Sequence, residues 1–166
     1  YLSEDRKKYG LLLIQDVTFN IALASLKKFT NKLGFYKKSP AVGIAKEGIK
    51  TLGIKTPSER QYLKNLSGGN QQKVVISKWL ARDCEVLIFD EPTRGIDVGA
   101  KDEIYKLLTR LASEGKSVIM ISSELPEVLR LSDRIAVMCE GRLTGIVENK
   151  DADQNSIMQL ATKFRD

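Results

Sequence analysis

The sequence predicts an α/β fold with a parallel-sheet core preceded by a helical subdomain. Three observations carry this. Val86-Leu87-Ile88-Phe89 is an apolar run of the length of a buried parallel strand, and Val118-Ile119-Met120-Ile121 is a second one inside 117–122. Between them Ile104, Leu107, Leu108 and Leu111 recur at helical spacing over 100–114, with Gly115 as the stop. Strand, helix and strand in that order imply parallel strands joined by a right-handed crossover. Before residue 83 no such strand pattern occurs, and 16–82 reads as helices closing on a Ser-Gly-Gly turn. At 166 residues the chain is one domain by length and large enough to bury a core.

In chain order, 2–8 opens without a preceding strand or turn, and 10–14 is apolar. Val17, Ile21, Leu23, Ala24 and Leu26 then predict an amphipathic helix starting near Thr18 within 17–29. Residues 27–38 form a basic excursion ending at Ser39-Pro40, read either as a loop kept soluble by lysine or as a contact for anionic lipid head groups. A second helix is expected over 42–52 with Ile44, Ile49 and Leu52 buried, although Gly43 and Gly48 each weaken it by about 1 kcal/mol. Ser58 and Gln61 have capping-box spacing for a short helix through Leu63. Past the second strand, Pro126 suits the first turn of a helix through Leu131. Residues 134–139 and 143–147 flank Glu140-Gly141-Arg142 as a hairpin, and a last helix over 154–164 presents Ile157, Leu160, Ala161 and Phe164.

Two stretches carry chemistry. Ser67-Gly68-Gly69 runs into a helix through Arg82, pairing Val75 with Trp79 and Ile76 with Leu80. Ser67 suits an N-cap, and two glycines let backbone N–H groups and the positive helix end approach an anion; an ordinary capped helix is the alternative. The strand at 86–89 ends in Asp90 and Glu91, at the carboxyl edge where open α/β sheets place ligands. Successive strand residues face opposite sides, so Asp90 suits a Mg²⁺ shell while Glu91 suits polarising a water beside a γ-phosphate.

Together these stretches resemble the ATP-binding cassette (ABC) family. Leu66-Ser67-Gly68-Gly69-Asn70-Gln71-Gln72-Lys73 looks like its signature loop, 86–91 like its Walker B strand and 93–97 like its D-loop. Asn70, with Pro92-Thr93-Arg94-Gly95-Ile96-Asp97-Val98-Gly99-Ala100-Lys101 after Glu91, is similar to the second cassette of double-cassette ribose/galactose-type sugar importers. The resemblance implies a P-loop NTPase fold lacking its N-terminal phosphate-loop part, with a helical subdomain at about 16–82 and the Walker B, D-loop and C-terminal core at about 83–166. It implies ATP and Mg²⁺ as cofactors. It further implies that Ser67, Gly68, Gly69 and Gln71 serve an ATP held by a second cassette, with Asp97 contacting across the dimer. Asp90 as the Mg²⁺ residue, acting through water, and Glu91 as the catalytic carboxylate then belong to the cassette's own side. Glu4 stands where the family's Q-loop has Gln. Ser123 stands at the switch histidine, and the chain has no histidine, so neither a positive charge nor a proton near neutral pH comes from that position. Implied partners are that second cassette, transmembrane permease subunits and, indirectly, a periplasmic or extracellular sugar-binding protein, at the cytoplasmic face of the cell membrane.

No Gly-x-x-x-x-Gly-Lys-Ser/Thr occurs, so the chain is expected to be the C-terminal part of a cassette, natural or expressed, that does not bind ATP alone. Cys84 and Cys139 give neither a disulfide framework nor metal-ligand spacing, and no apolar run reaches the length of a membrane span. Net charge is +6, from 16 basic against 5 acidic residues in 1–82 and 11 against 16 in 83–166. The basic half reads as a solvated helical face, since it is mostly lysine with few interleaved aromatics, and no nucleic-acid partner is expected. Two other functions remain open: a cytosolic ABC ATPase of translation or DNA repair, and a non-catalytic regulatory remnant of a cassette.

Overall fold

The computed structural model describes residues 1–164, in two compact units: Tyr1–Ile121 and the remainder from Ser122. In the first unit β1 (Val86–Asp90) pairs in parallel with β2 (Ser117–Ile121), as the two apolar runs predict, from Val86 opposite Ser117 to Asp90 opposite Ile121. The other edge of β1 takes a single parallel bridge from Leu2: Leu2 N–H donates to the Ile88 carbonyl at 2.7 Å, and Asp90 N–H to the Leu2 carbonyl at 3.0 Å. The opening segment is therefore anchored beside the strand that ends in the two carboxylates.

One face of this sheet is buried and the other is not. Leu87 and Phe89 are inaccessible, whereas Ile119 and Ile121 are about half exposed, at 51% and 47%. The expectation that 117–122 is a fully buried strand is thus corrected. Its continuous apolar run is covered on one pleat only. The crossover helix α4 (Val98–Ser113) begins two residues earlier than its periodicity suggests, because the Asp97 carboxylate caps it by accepting from Ala100 N–H at 2.9 Å. Ile104, Leu107, Leu108 and Leu111 are all buried, and Gly115 stops the chain at φ +88°.

Three helices pack together upstream. α1 (Val17–Leu23) is capped by Asp16, which accepts from Phe19 N–H at 2.7 Å, and a separate 3₁₀ turn covers Leu26–Phe29, so the helical pattern of 17–29 is broken in two. α2 (Lys38–Leu52) starts four residues before the expected position. It buries Ala41, Ala45 and Leu52, leaving Ile44 and Ile49 only half-buried. Small side chains on the inner face allow close helix approach: a Cβ at Gly48 would lie 2.1 Å from Ser77 Oγ on α3 (Gly68–Leu80). Gly48 is therefore a packing residue and not merely a weak point of α2. The helix expected from Ser58 does not form. Ser58 sits in a turn, while Val17 N–H donates to the Gln61 carbonyl and Leu63 N–H to the Gln15 carbonyl, both at 3.1 Å. These long-range bonds, with the bridge of Tyr62 to Asp16, hold the chain extended beside the start of α1 until the 3₁₀ turn Leu63–Asn65.

The second unit holds α5 (Leu125–Leu131), with Pro126 in its first turn, and an antiparallel hairpin of β3 (Arg134–Cys139) and β4 (Arg142–Glu148). Glu140 and Gly141 turn it with φ of +47° and +73°, the pair of left-handed residues that a two-residue hairpin turn demands. α6 (Gln154–Ala161) starts in an Asp153–Ser156 capping box and lays Ile157 against Ile135 and Val137, with Leu160 and Ala161 beside them. Phe164 lies beyond the end of α6, half exposed under Arg142, rather than on its buried stripe.

Candidate functional site

The Ser-Gly-Gly turn lies at the N-terminus of α3, as its composition predicts. Ser67 occupies the cap position with extended backbone, but its side chain makes no cap bond to the first helical N–H groups. Its hydroxyl instead accepts from Asn70 Nδ2 at 2.9 Å, and Asn70 Oδ1 accepts from Lys55 N–H at 2.8 Å. The N-cap reading is right in position and wrong in bonding. Physically, this leaves the positive end of α3 without the side-chain oxygen that ordinarily neutralises it.

Gln71 is placed behind the loop and not at its rim. It is buried, and Nε2 donates to the carbonyls of Leu63 at 3.0 Å and Leu66 at 3.2 Å. Gln71 thereby fixes the backbone that leads into the turn. The glycines have an additional cause invisible in the sequence. A Cβ at Gly68 would meet Arg6 Nη2 at 2.8 Å and the Gly95 carbonyl at 3.2 Å, and one at Gly69 would meet Ala100 Cβ at 2.7 Å. Bare backbone lets α3 abut the loop after β1 and the first turn of α4.

Arg6 ties these pieces together. Nη1 donates to the Arg94 carbonyl at 2.9 Å and Nη2 to the Gly95 carbonyl at 3.3 Å, while burial pushes the guanidinium below the ordinary arginine range. Its Nε is buried without a partner among the described residues. Glu4 forms an ion pair with Arg94, and Glu4, Asp5, Arg6, Lys7 and Arg94 line an open pocket of about 300 Å³. Arg6 and Arg94 were not singled out by sequence reasoning. The only signal was their nearness to Glu4 and Asp97, because both arginines work through carbonyl geometry or a partner distant in sequence.

Asp90 ends β1 with Oδ2 accepting from the Tyr1 hydroxyl at 2.5 Å, a bond that raises the phenol above its ordinary range. Glu91 follows in the left-handed region at φ +46°, and its N–H donates to the Ile121 carbonyl at 2.9 Å. The chain turns sharply between the two carboxylates, so the simple strand alternation expected of them does not extend to Glu91. Asp97 is committed to capping α4. Ser123 belongs to the second unit, just before α5.

Among the described residues no group of three or more His, Cys, Asp or Glu side chains could hold a metal. That donor set fits Mg²⁺ only in the form it takes with nucleotides, where one or two carboxylates join phosphate oxygens and waters. Asp90 at the strand end is the residue that suits it, in competition with Tyr1.

A parallel α/β core with a glycine turn at a helix start, two carboxylates at a strand end and a connecting loop packed on those glycines is the arrangement of an α/β cassette core. The ABC transporter family model matches residues 5–94, and the chain belongs to that family. It is 60% identical over 163 residues to a Burkholderia ambifaria protein provisionally named ribose/galactose/methyl galactoside import ATP-binding protein 3. It is 56% identical over 161 residues to the ribose import ATP-binding protein of Clostridium perfringens. These alignments take in 98% and 97% of this chain and 32% of each relative, so the chain spans about a third of the length of the curated relatives it matches. Among solved structures, an inward-facing ABC transporter provisionally assigned to the metal-chelate type superposes with a TM-score of 0.77 at 18% identity, over 93% of this chain and 61% of that one. A dimeric ATP-binding cassette in a post-hydrolysis state with ADP and Pi superposes with a TM-score of 0.70 at 21% identity, over 86% and 60%. These two likenesses concern the fold.

Proposed function

We propose that this chain is the signature-loop part of a cassette in the ATP-binding subunit of a ribose/galactose-type sugar importer. The observation that carries the reading is the N-terminus of α3, which has no side-chain cap bond and starts at the exposed Ser67, on a loop tied down by Gln71, Asn70 and Arg6. The identity of 56–60% to sugar-import ATP-binding proteins supports the substrate class.

In this reading the turn binds the γ-phosphate of ATP held by a second cassette: Ser67 donates its hydroxyl, and the first N–H groups of α3 face the charge. Bound Mg-ATP supplies the phosphoanhydride whose hydrolysis drives uptake through the permease. On this cassette's own side Asp90 would hold the water shell of Mg²⁺, and Glu91 would stand where an attacking water is oriented. Ser123 in place of histidine leaves that side without a proton-carrying group at the switch position, so hydrolysis belongs to the site on the partner cassette that this signature loop completes. Arg6 and the Glu4–Arg94 pair transmit loop position between the opening segment and Asp97. The test is Ser67→Arg in the assembled transporter. Loss of ATPase activity is expected with assembly intact, and normal turnover would sink the proposal.

A further inference from the structure

We propose that the hairpin loop over 30–36 is a membrane-surface contact that inserts Leu33 and Phe35 among the head groups of an anionic bilayer. This goes beyond the importer reading, since it assigns a lipid contact to this chain itself and needs neither nucleotide nor permease.

The loop is built and not slack. Thr30 bridges Tyr36, Asn31 N–H donates to the Phe35 carbonyl at 2.9 Å, and Lys37 N–H donates to the Phe29 carbonyl at 2.6 Å. Asn31 Oδ1 accepts from Leu33 N–H at 3.0 Å and Phe35 N–H at 2.8 Å, and Gly34 makes the turn at φ +83°. Phe29 anchors its base, buried with Ala22 and Ala41. Backbone and Asn31 therefore satisfy the turn without help from the two large side chains at its tip. Leu33 is 82% and Phe35 68% exposed, a cost that folding does not explain.

Charge identifies the occupant. No acidic residue occurs between Asp16 and Glu47, whereas Lys27, Lys28, Lys32, Lys37, Lys38 and Lys46 do. Lys37 and Lys38 moreover occupy the cap and first position of α2, which has no side-chain cap bond and no acid in its first turn. Cations at a helix start oppose the macrodipole, so these lysines weaken the helix they begin. Exposed apolar residues flanked in sequence by the exposed Lys32, Lys37 and Lys38 match a negatively charged interface, where each lysine strengthens binding roughly fivefold and apolar side chains add to it.

The experiment is co-sedimentation of the full 166-residue chain with protein-free vesicles of phosphatidylcholine alone, or with about one-third phosphatidylglycerol, at low and high salt. Binding only to the anionic vesicles, weakened by salt, is expected. Lys32→Gln/Lys37→Gln/Lys38→Gln should reduce the partition coefficient about 100-fold, and Leu33→Ser/Phe35→Ser about tenfold or more. All five positions are exposed, and unchanged circular dichroism and melting show that the variants fold. No binding to anionic vesicles, or binding that both variants retain, overturns the proposal. Failure here leaves the Ser67→Arg test of the importer reading untouched.

Discussion

Replacing Glu103 by Gln probes how α3 is held against α4. Lys73 on α3 has a side chain only 7% exposed; Nζ lies 2.7 Å from Glu103 Oε2 and donates to the Gly53 carbonyl at 3.0 Å. The charge of Glu103 balances an ammonium that water barely reaches. A pair 4 Å apart at an effective dielectric near 20 attracts by roughly 4 kcal/mol, and removing one member of a fully buried pair costs about 3–5 kcal/mol. Here the Glu103 side chain is 44% exposed, so solvent screening and the remaining carbonyl partner reduce the expected loss to about 1–2 kcal/mol. The melting point should fall by roughly 2–8 °C, and the urea midpoint should fall with it.

The dependence on pH sharpens the test. The hydrogen bond from Lys73 holds the Glu103 carboxyl below its ordinary range, so the folded state favours its ionised form. That stability is fully present above the unfolded value of about 4.3 and is lost as pH falls through the folded value. The gap between wild type and Glu103→Gln should therefore be constant near neutrality and close in acid. Adding Lys73→Met to Glu103→Gln should recover most of the loss, since an apolar side chain replaces an unpaired buried cation. A loss below about 0.5 kcal/mol, or a gap of equal size at neutral and acid pH, would refute this account.

Further outcomes follow from other contacts. Gly48→Ala raises helix propensity by about 1 kcal/mol but sets a methyl against Ser77, so a net destabilisation of roughly 1–2 kcal/mol is expected in urea unfolding, smaller in a Ser77→Ala background. Asp97→Ala should cost about 1 kcal/mol by uncapping α4, whereas Asp97→Asn should keep stability. Assaying ATPase in the assembled transporter with Asp97→Asn then separates a cross-dimer role of the charge from the cap. Ile157→Ala should cost about 2–5 kcal/mol in the melting of the second unit, because it empties the centre of that unit's core.

Where one short stretch decides a structure, the sequence was a sufficient guide. The four buried positions of α4, Gly115 at its end, the Glu140-Gly141 turn and Pro126 at the start of α5 follow from periodicity and backbone preference. Asp90 and Glu91 at the strand end and the glycines at the start of α3 were legible for the same reason. Tertiary contact decided the rest. Ser58 and Gln61 carry a helix-start pattern that lost to strand-like bonding with Gln15 and Val17, because those longer-range bonds satisfy the same backbone groups. Ala41, Ala45 and Gly48 became the inner face of α2 because helix approach rewards small side chains, which hydrophobic patterning ranks below Ile44 and Ile49. Arg6 reached carbonyls 88 and 89 residues away, and Gly68 and Gly69 had to be bare for the chain that those carbonyls belong to. Chemistry along the chain named Ser67, Gly68, Gly69 and Gln71 as candidates to face a phosphate; only the folded backbone could show that Gln71 supports the loop from behind, since its partners are carbonyls that every residue possesses.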